Sequence, residues 1–176
     1  MHIRKIVFAG AIGAIYAALT FVVAPISYGP IQFRISEALC ILPFFSPITS
    51  AGLFVGCLIA NLLSPYGLLD IVAGSFATLL AALMTMQLGR INRRSPAIKA
   101  LACFPPVIIN ALFIGAVIAW AETSGSDAFQ AAFALNGLQV GLGQLVVMYA
   151  IGLPLMFILP KSSMFKKVFD TGTLLM

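Results

Sequence analysis

The feature that most limits what this chain can become is the length of its uncharged apolar runs. Residues 6–23 contain no charged side chain, and residues 97–121 contain only Lys99, near the start. Runs of this kind are long enough to cross a hydrocarbon layer about 30 Å thick. The rest of the chain supports that reading: 61% of its residues are hydrophobic and only 9% are charged, where soluble domains carry roughly 25%. The expectation is an integral membrane protein of one domain over residues 1–176. Arg4 and Lys5 ahead of the first run imitate a secretory signal. The run is longer than a usual signal core, however, and no cleavage-like site precedes a soluble domain, so it reads as a retained first span.

Lipid offers no partners for backbone N–H and C=O groups, so spans in such a chain are helices. Six can be drawn, over about residues 6–23, 36–45, 47–63, 68–88, 97–121 and 132–159. The second is short for a full crossing; it is expected to tilt, or to share its crossing with the third through Pro43 and Pro47. Pro105 and Pro106 are expected to bend the fifth, because proline removes a helical donor. With six spans, nine of the ten basic residues fall on one side: Arg4, Lys5, Arg90, Arg93, Arg94, Lys99, Lys161, Lys166 and Lys167. Glu37, Asp70, Glu122 and Asp127 fall opposite with Arg34, and Asp170 is the acidic exception. Positive residues stay inside, which puts both termini in the cytoplasm. The net charge of +5 is thereby explained by topology, and nucleic acid is not implied.

The three cysteines, Cys40, Cys57 and Cys103, sit in separate apolar stretches without metal-ligand or CxxC spacing, and His2 is the only histidine. They read as packing residues, and a metal site or a histidine-based catalytic set is not expected. The polar residues buried in apolar sequence are the site candidates, because such groups are costly in a membrane. Arg34 and Glu37, three apart, share a face if the segment is helical, and either pair with each other or meet a ligand. Asn61 lies near the end of the third span, Asp70 just inside the fourth, and Asn110 in the middle of the fifth. Asp70 has an alternative reading as an acid favouring a helix N-terminus. Trp120 is expected to anchor at the interface, and Asp127 to be a solvated loop residue. Asn136 and Gln139 share a face of the sixth span. Gln144, deeper, is read as a helix–helix hydrogen bonder. All these candidates gather in the outer half of the bundle. A channel needs polar lining through its full depth, and this chain has none evident. A stand-alone membrane enzyme would have only Glu37 and Asp70 as an acid pair.

The first span carries two neighbouring strips of small residues: Gly10, Ala14, Ala18, and beside them Ala9, Gly13, Ala17. Small strips let helices approach closely in lipid. They serve either packing within this bundle or docking of another membrane subunit.

The phrase "YGPIQFRISEAL" at residues 28–39, with Leu42–Pro43, and "ANLLSPYGLLDIVAGSFATLLAAL" at residues 60–83 resemble the QueT family. Its members are queuosine-precursor transporters classed as substrate-binding S components of energy-coupling factor (ECF) transporters. The resemblance covers most of the first four spans; over the last two it is a matter of hydropathy and length. It implies an all-α bundle of six transmembrane helices with cytoplasmic termini, multi-pass in a bacterial plasma membrane. Such a component binds a micronutrient near the outer face and works with a membrane T subunit and two cytoplasmic ATPases. The T subunit would dock on the strip Gly10, Ala14 and Ala18. The chain has no phosphate-binding loop of its own, so ATP hydrolysis would fall to the partners, and neither catalysis nor a cofactor is expected of it.

On this resemblance the segment around Gly29–Pro30 becomes the outer loop that covers and lines the pocket, its turn held by that pair. A 7-deazaguanine presents two adjacent N–H donors, which one carboxylate can accept together. Glu37 is the first choice for that role. Asn110, Gln139 or Arg34 would donate to the ring carbonyl, and Asp70 would meet a cationic arm. Tyr28, Phe33 and Trp120 are candidates to lie on the ring faces, with Asn61 and Asn136 completing the candidate set.

Overall fold

The computed structural model describes residues 2–29 and 31–169. Pro30 of the expected turn, Asp170 and the side chain of His2 lie outside the described residues. The described residues form helices and connecting turns, and no strand occurs among them. Helix α1 covers His2–Val22 and is followed by a single turn, α2, Ala24–Ser27. A 3-10 helix, Ile35–Phe44, leads into α3, Ile48–Asn61, and α4, Gly67–Ile91. The next span comes in two pieces, α5 (Pro96–Ala102) and α6 (Phe104–Thr123). The last comprises α7 (Phe129–Val146), a π-helical segment (Val147–Gly152) and α8 (Leu153–Ile158). A short end piece, α9, covers Ser163–Phe169.

Among the described residues, four helical stretches are long and apolar enough to cross a membrane: Ile3–Val22, Gly67–Ile91, Pro96–Thr123 and Phe129–Lys161. The second and third expected spans are shorter apolar helices, Ile35–Phe44 and Ile48–Asn61. The surface is inverted relative to a water-soluble protein. Val22, Leu68 and Leu138 face outward, while Arg34, Glu37, Asn61 and Asp70 are buried. That inversion is what a lipid solvent selects, since apolar side chains lose nothing there and polar ones need internal partners. The chain is a multi-pass membrane protein.

Helix α1 packs on α3, α3 on α4, α4 on α6 and α6 on α7, with the 3-10 helix running between α1, α3, α4 and the π segment. This 3-10 helix is the unexpected element. Its ten residues rise about 2.0 Å each rather than 1.5 Å, so a short segment reaches further than an α-helix would. Pro43 within it cannot donate to an α-type ladder. Eight of its ten side chains are buried, which removes any need for a lipid-length run. The break in the fifth span falls at Cys103, directly before Pro105 and Pro106, the bend that the two prolines predict.

The two small strips of α1 part company here. Gly13 and Ala17 are buried, and a Cβ on Gly13 would stand 2.8 Å from the carbonyl oxygen of Gly52. A Cβ on Gly56 would stand 2.6 Å from the Gly13 carbonyl oxygen, and one on Gly52 would collide with that of Ala9. This strip is the α1–α3 seam. Gly10, Ala14 and Ala18 are exposed, and a Cβ on Gly10 would meet nothing within 4 Å.

Candidate functional site

The connection from α2 into the 3-10 helix threads back into the bundle instead of lying over it. Tyr28 Oη donates to the carbonyl oxygen of Ala60 at 2.5 Å, and Gln32 takes a left-handed backbone, φ 49°. Gly143 of α7 leaves room for the Ile31 carbonyl, which a Cβ there would strike. Gln32 and Arg34 are thereby carried inward and are both buried.

Arg34 does not pair with Glu37. It precedes the first 3-10 turn in extended conformation, φ −88°, ψ 95°, so the three-residue spacing does not put the two on one helical face. Its Nη2 lies 3.1 Å from Asp70 Oδ2 instead, both side chains being buried. The guanidinium sits 5.4 Å from the Tyr28 ring centroid, and Nε donates to the Ser27 carbonyl at 3.4 Å. Around Asp70, Ser64 Oγ donates to Oδ2 at 2.5 Å, and Asn61 Nδ2 donates to the Asp70 backbone carbonyl at 2.9 Å. Gly74 makes this junction possible: a Cβ there would stand 2.6 Å from Asn61 Nδ2. A buried ion pair is tolerable only with such support, because desolvation of both charges is large.

Glu37 lies one layer deeper and is 1% exposed. Its Oε1 accepts from Tyr16 Oη and from Thr78 Oγ1 at 3.4 Å. Its Oε2 accepts from Cys40 Sγ at 3.1 Å and Gln144 Nε2 at 3.4 Å. The Cys40 bond is a product of 3-10 geometry, in which residues three apart eclipse. Beside this layer a small cavity of about 10 Å³ is walled by Gln32, Arg34, Asn110, Ile114, Val140 and Gln144, room for about one water. Gln32 Nε2 is buried there without a hydrogen-bond partner, and so is Asp70 Oδ1 nearby.

Of the sequence candidates, Arg34 and Asn110 are in the cavity wall, Asp70 and Asn61 brace Arg34, and Glu37 lies behind Gln144. Tyr28 lies beneath the Arg34 guanidinium. Asn136 donates to Glu122 Oε2 at 2.7 Å, away from the cavity wall. Gln139 and Phe33 are half-buried and do not line it. Trp120 is 52% exposed and borders an outward apolar groove with Leu69, Phe113 and Phe129, as an interface anchor does. Gln144 bonds across helices as expected, yet it also walls the cavity. Gln32, Tyr16 and Thr78 were not foreseen. Gln32 stood in the quoted polar stretch, and Tyr16 and Thr20 are the polar side chains of an otherwise apolar run at helical spacing.

No group of three or more metal-ligating side chains occurs among the described residues, and the cysteines are free and buried. Polar side chains buried around a cavity inside a helical membrane bundle are the arrangement of a protein that binds a small molecule. The chain belongs to the QueT transporter family, whose model matches residues 6–161. It is 40% identical over 76 residues to the queuosine precursor transporter QueT of Lactococcus lactis subsp. cremoris (strain MG1363). That alignment covers 42% of this chain and 44% of the relative, less than half of either. No solved structure matches the chain.

Proposed function

We propose that the chain is a single membrane domain of six crossing segments with both termini in the cytoplasm: the substrate-binding S component of an ECF importer in a bacterial plasma membrane. It captures a queuosine precursor of 7-deazaguanine type from the outer side. A membrane T subunit docks on Gly10, Ala14 and Ala18, and two cytoplasmic ATPases supply the energy for uptake. The observation that carries this reading is the cavity between Gln32, Arg34, Asn110 and Gln144. Four polar side chains from three separate parts of the chain converge there, and one buried donor, Gln32 Nε2, has no partner. An unmade buried hydrogen bond costs about 1–3 kcal/mol, so a ligand that completes the set is favoured by what its absence leaves unmade.

The cavity is too small for a bicyclic base as it stands, so binding requires its walls to part. The wall formed by residues 31–34 is the one not built into a long helix, and it is the part that yields. Asp70, first assigned to a cationic arm, is engaged by Arg34 and Ser64. Both reach it through Oδ2; its Oδ1 has no partner and is the oxygen that such an arm would meet.

The test is equilibrium binding of 7-cyano- and 7-aminomethyl-7-deazaguanine to the purified chain in lipid nanodiscs. The wild-type chain is expected to bind at least one of them, and Asn110→Leu to lose roughly tenfold in affinity or more, since about 1.4 kcal/mol is a factor of ten. No binding by the wild-type chain, or unchanged affinity in Asn110→Leu, would overturn the proposal or its placing of the site, respectively.

A further inference from the structure

The position of Glu37 behind Gln144 changes what each can do. We infer that Gln144 is the side chain that accepts the ring N–H of the ligand, and that Glu37 is a positioning residue that fixes which end of the Gln144 amide faces the cavity. The inference rests on the ligand class proposed above and adds the residues that read its edge.

Glu37 is not in the cavity wall, and both of its oxygens already accept hydrogen bonds, from Tyr16, Thr78, Cys40 and Gln144. A carboxylate accepts only, while a primary amide has one donating and one accepting end. Beside Glu37 the Gln144 amide must therefore turn its NH2 inward to the carboxylate. Its carbonyl oxygen is left to the cavity it walls. In the same wall Gln32 Nε2 is a buried donor without a partner, and Arg34 is a donor held in place by Asp70. The cavity thus has a polarity, with an acceptor from α7 and donors from the 32–34 segment. The complementary ligand edge is an N–H beside a C=O, the lactam edge of a guanine-type ring. An adenine-type ring presents the reverse, an acceptor nitrogen beside an amino donor, and would leave donor facing donor and acceptor facing acceptor. Mismatches of that kind are costly because the protein groups are then left buried and unpaired.

The readout is the ratio of Kd for 7-deazaadenine to Kd for 7-deazaguanine, measured on the full chain in nanodiscs. The wild-type ratio is expected to be about a hundredfold or more, two unmade bonds at roughly tenfold each. In Glu37→Gln the two facing amides can adopt either orientation, and the ratio falls about tenfold. Gln144→Met lowers it by a similar factor, and the double variant shows no further fall. A merely structural role for Glu37 would weaken both ligands and leave the ratio alone. If Glu37→Gln lowers the ratio equally in the Gln144→Met background, Glu37 contacts the ligand directly and the inference is wrong. If Glu37→Gln does not fold, Gln144→Met decides, because a wild-type ratio in that variant also overturns it. A wild-type chain that binds both rings equally, or neither, refutes this inference while leaving the proposed function standing; failure to bind 7-cyano- and 7-aminomethyl-7-deazaguanine as well removes both.

Discussion

The two faces of α1 have the same kind of sequence and opposite surroundings. Ala9 and Gly13 meet the glycines of α3 at backbone distance and Ala17 is buried on the same strip, while Gly10, Ala14 and Ala18, one position along, are exposed. Close packing accounts for the first strip: in lipid, where apolar burial contributes little, backbone approach through small residues is a main source of helix association. It does not account for the second, which has the same composition and is left exposed among the described residues. A small-residue strip therefore has to be read by its surroundings, since composition is the same for a seam already closed and for one left open to a partner.

The contrast can be broken most severely at Gly56. A leucine there would meet the Gly13 backbone and Tyr16 Cβ at under 3 Å, where neither side can yield without separating α1 from α3. Overpacking typically costs about 1–3 kcal/mol, occasionally more, and backbone against backbone is its harshest form. Gly56→Leu is expected to abolish monodisperse protein in size-exclusion chromatography, and a normal profile would dissolve the distinction between the strips.

The next effect separates folding from coupling. Ala14→Leu on the open strip is expected to leave ligand binding by the isolated chain unchanged and to reduce cellular uptake about tenfold or more, since a contact loss of about 1.4 kcal/mol has that size. Equal loss of binding and uptake would return this strip to internal packing.

The smallest pair sharpens the comparison by sign. Gly13→Ala puts a Cβ 2.8 Å from the Gly52 carbonyl oxygen and is expected to lower the melting temperature by a few degrees, about 2–4 °C per kcal/mol at this size. Gly10→Ala adds a methyl where nothing lies within 4 Å. Replacing a mid-helix glycine gains about 0.5–1 kcal/mol, so the melting temperature should rise slightly. Shifts of the same sign would contradict the assignment.

Much of this was legible beforehand because a membrane makes the code sparse. In a chain with so few charges, Arg34, Glu37, Asp70 and Asn110 stand out against their neighbours, and each proved buried. The long spans were legible for the same reason. The pairing was not. Arg34 finds Asp70, 36 positions away, and no local spacing rule reaches that far. Tyr16 and Thr78 escaped notice because tyrosine and threonine are at home in apolar helices until a carboxylate is brought beside them. The 3-10 form of Ile35–Phe44 was also hidden: its shortness was visible, but its rise per residue depends on burial on all sides, which only the assembled bundle supplies.

The π segment Val147–Gly152 has a consequence for how the last span tolerates change. Val140 and Gln144 face inward before it, Met148 and Gly152 within it and Met156 after it, while Ile151 is left outward. A regular helix turns about 100° per residue, and the wide turn absorbs one residue's worth of that rotation. Like a coupling between two shafts, it lets the half that carries Gln144 and the half that seats Met156 beside Cys103 hold separate angular settings. The stretch of helix that faces the cavity can thus be adjusted by a fraction of a turn without re-indexing the stretch that packs on α5.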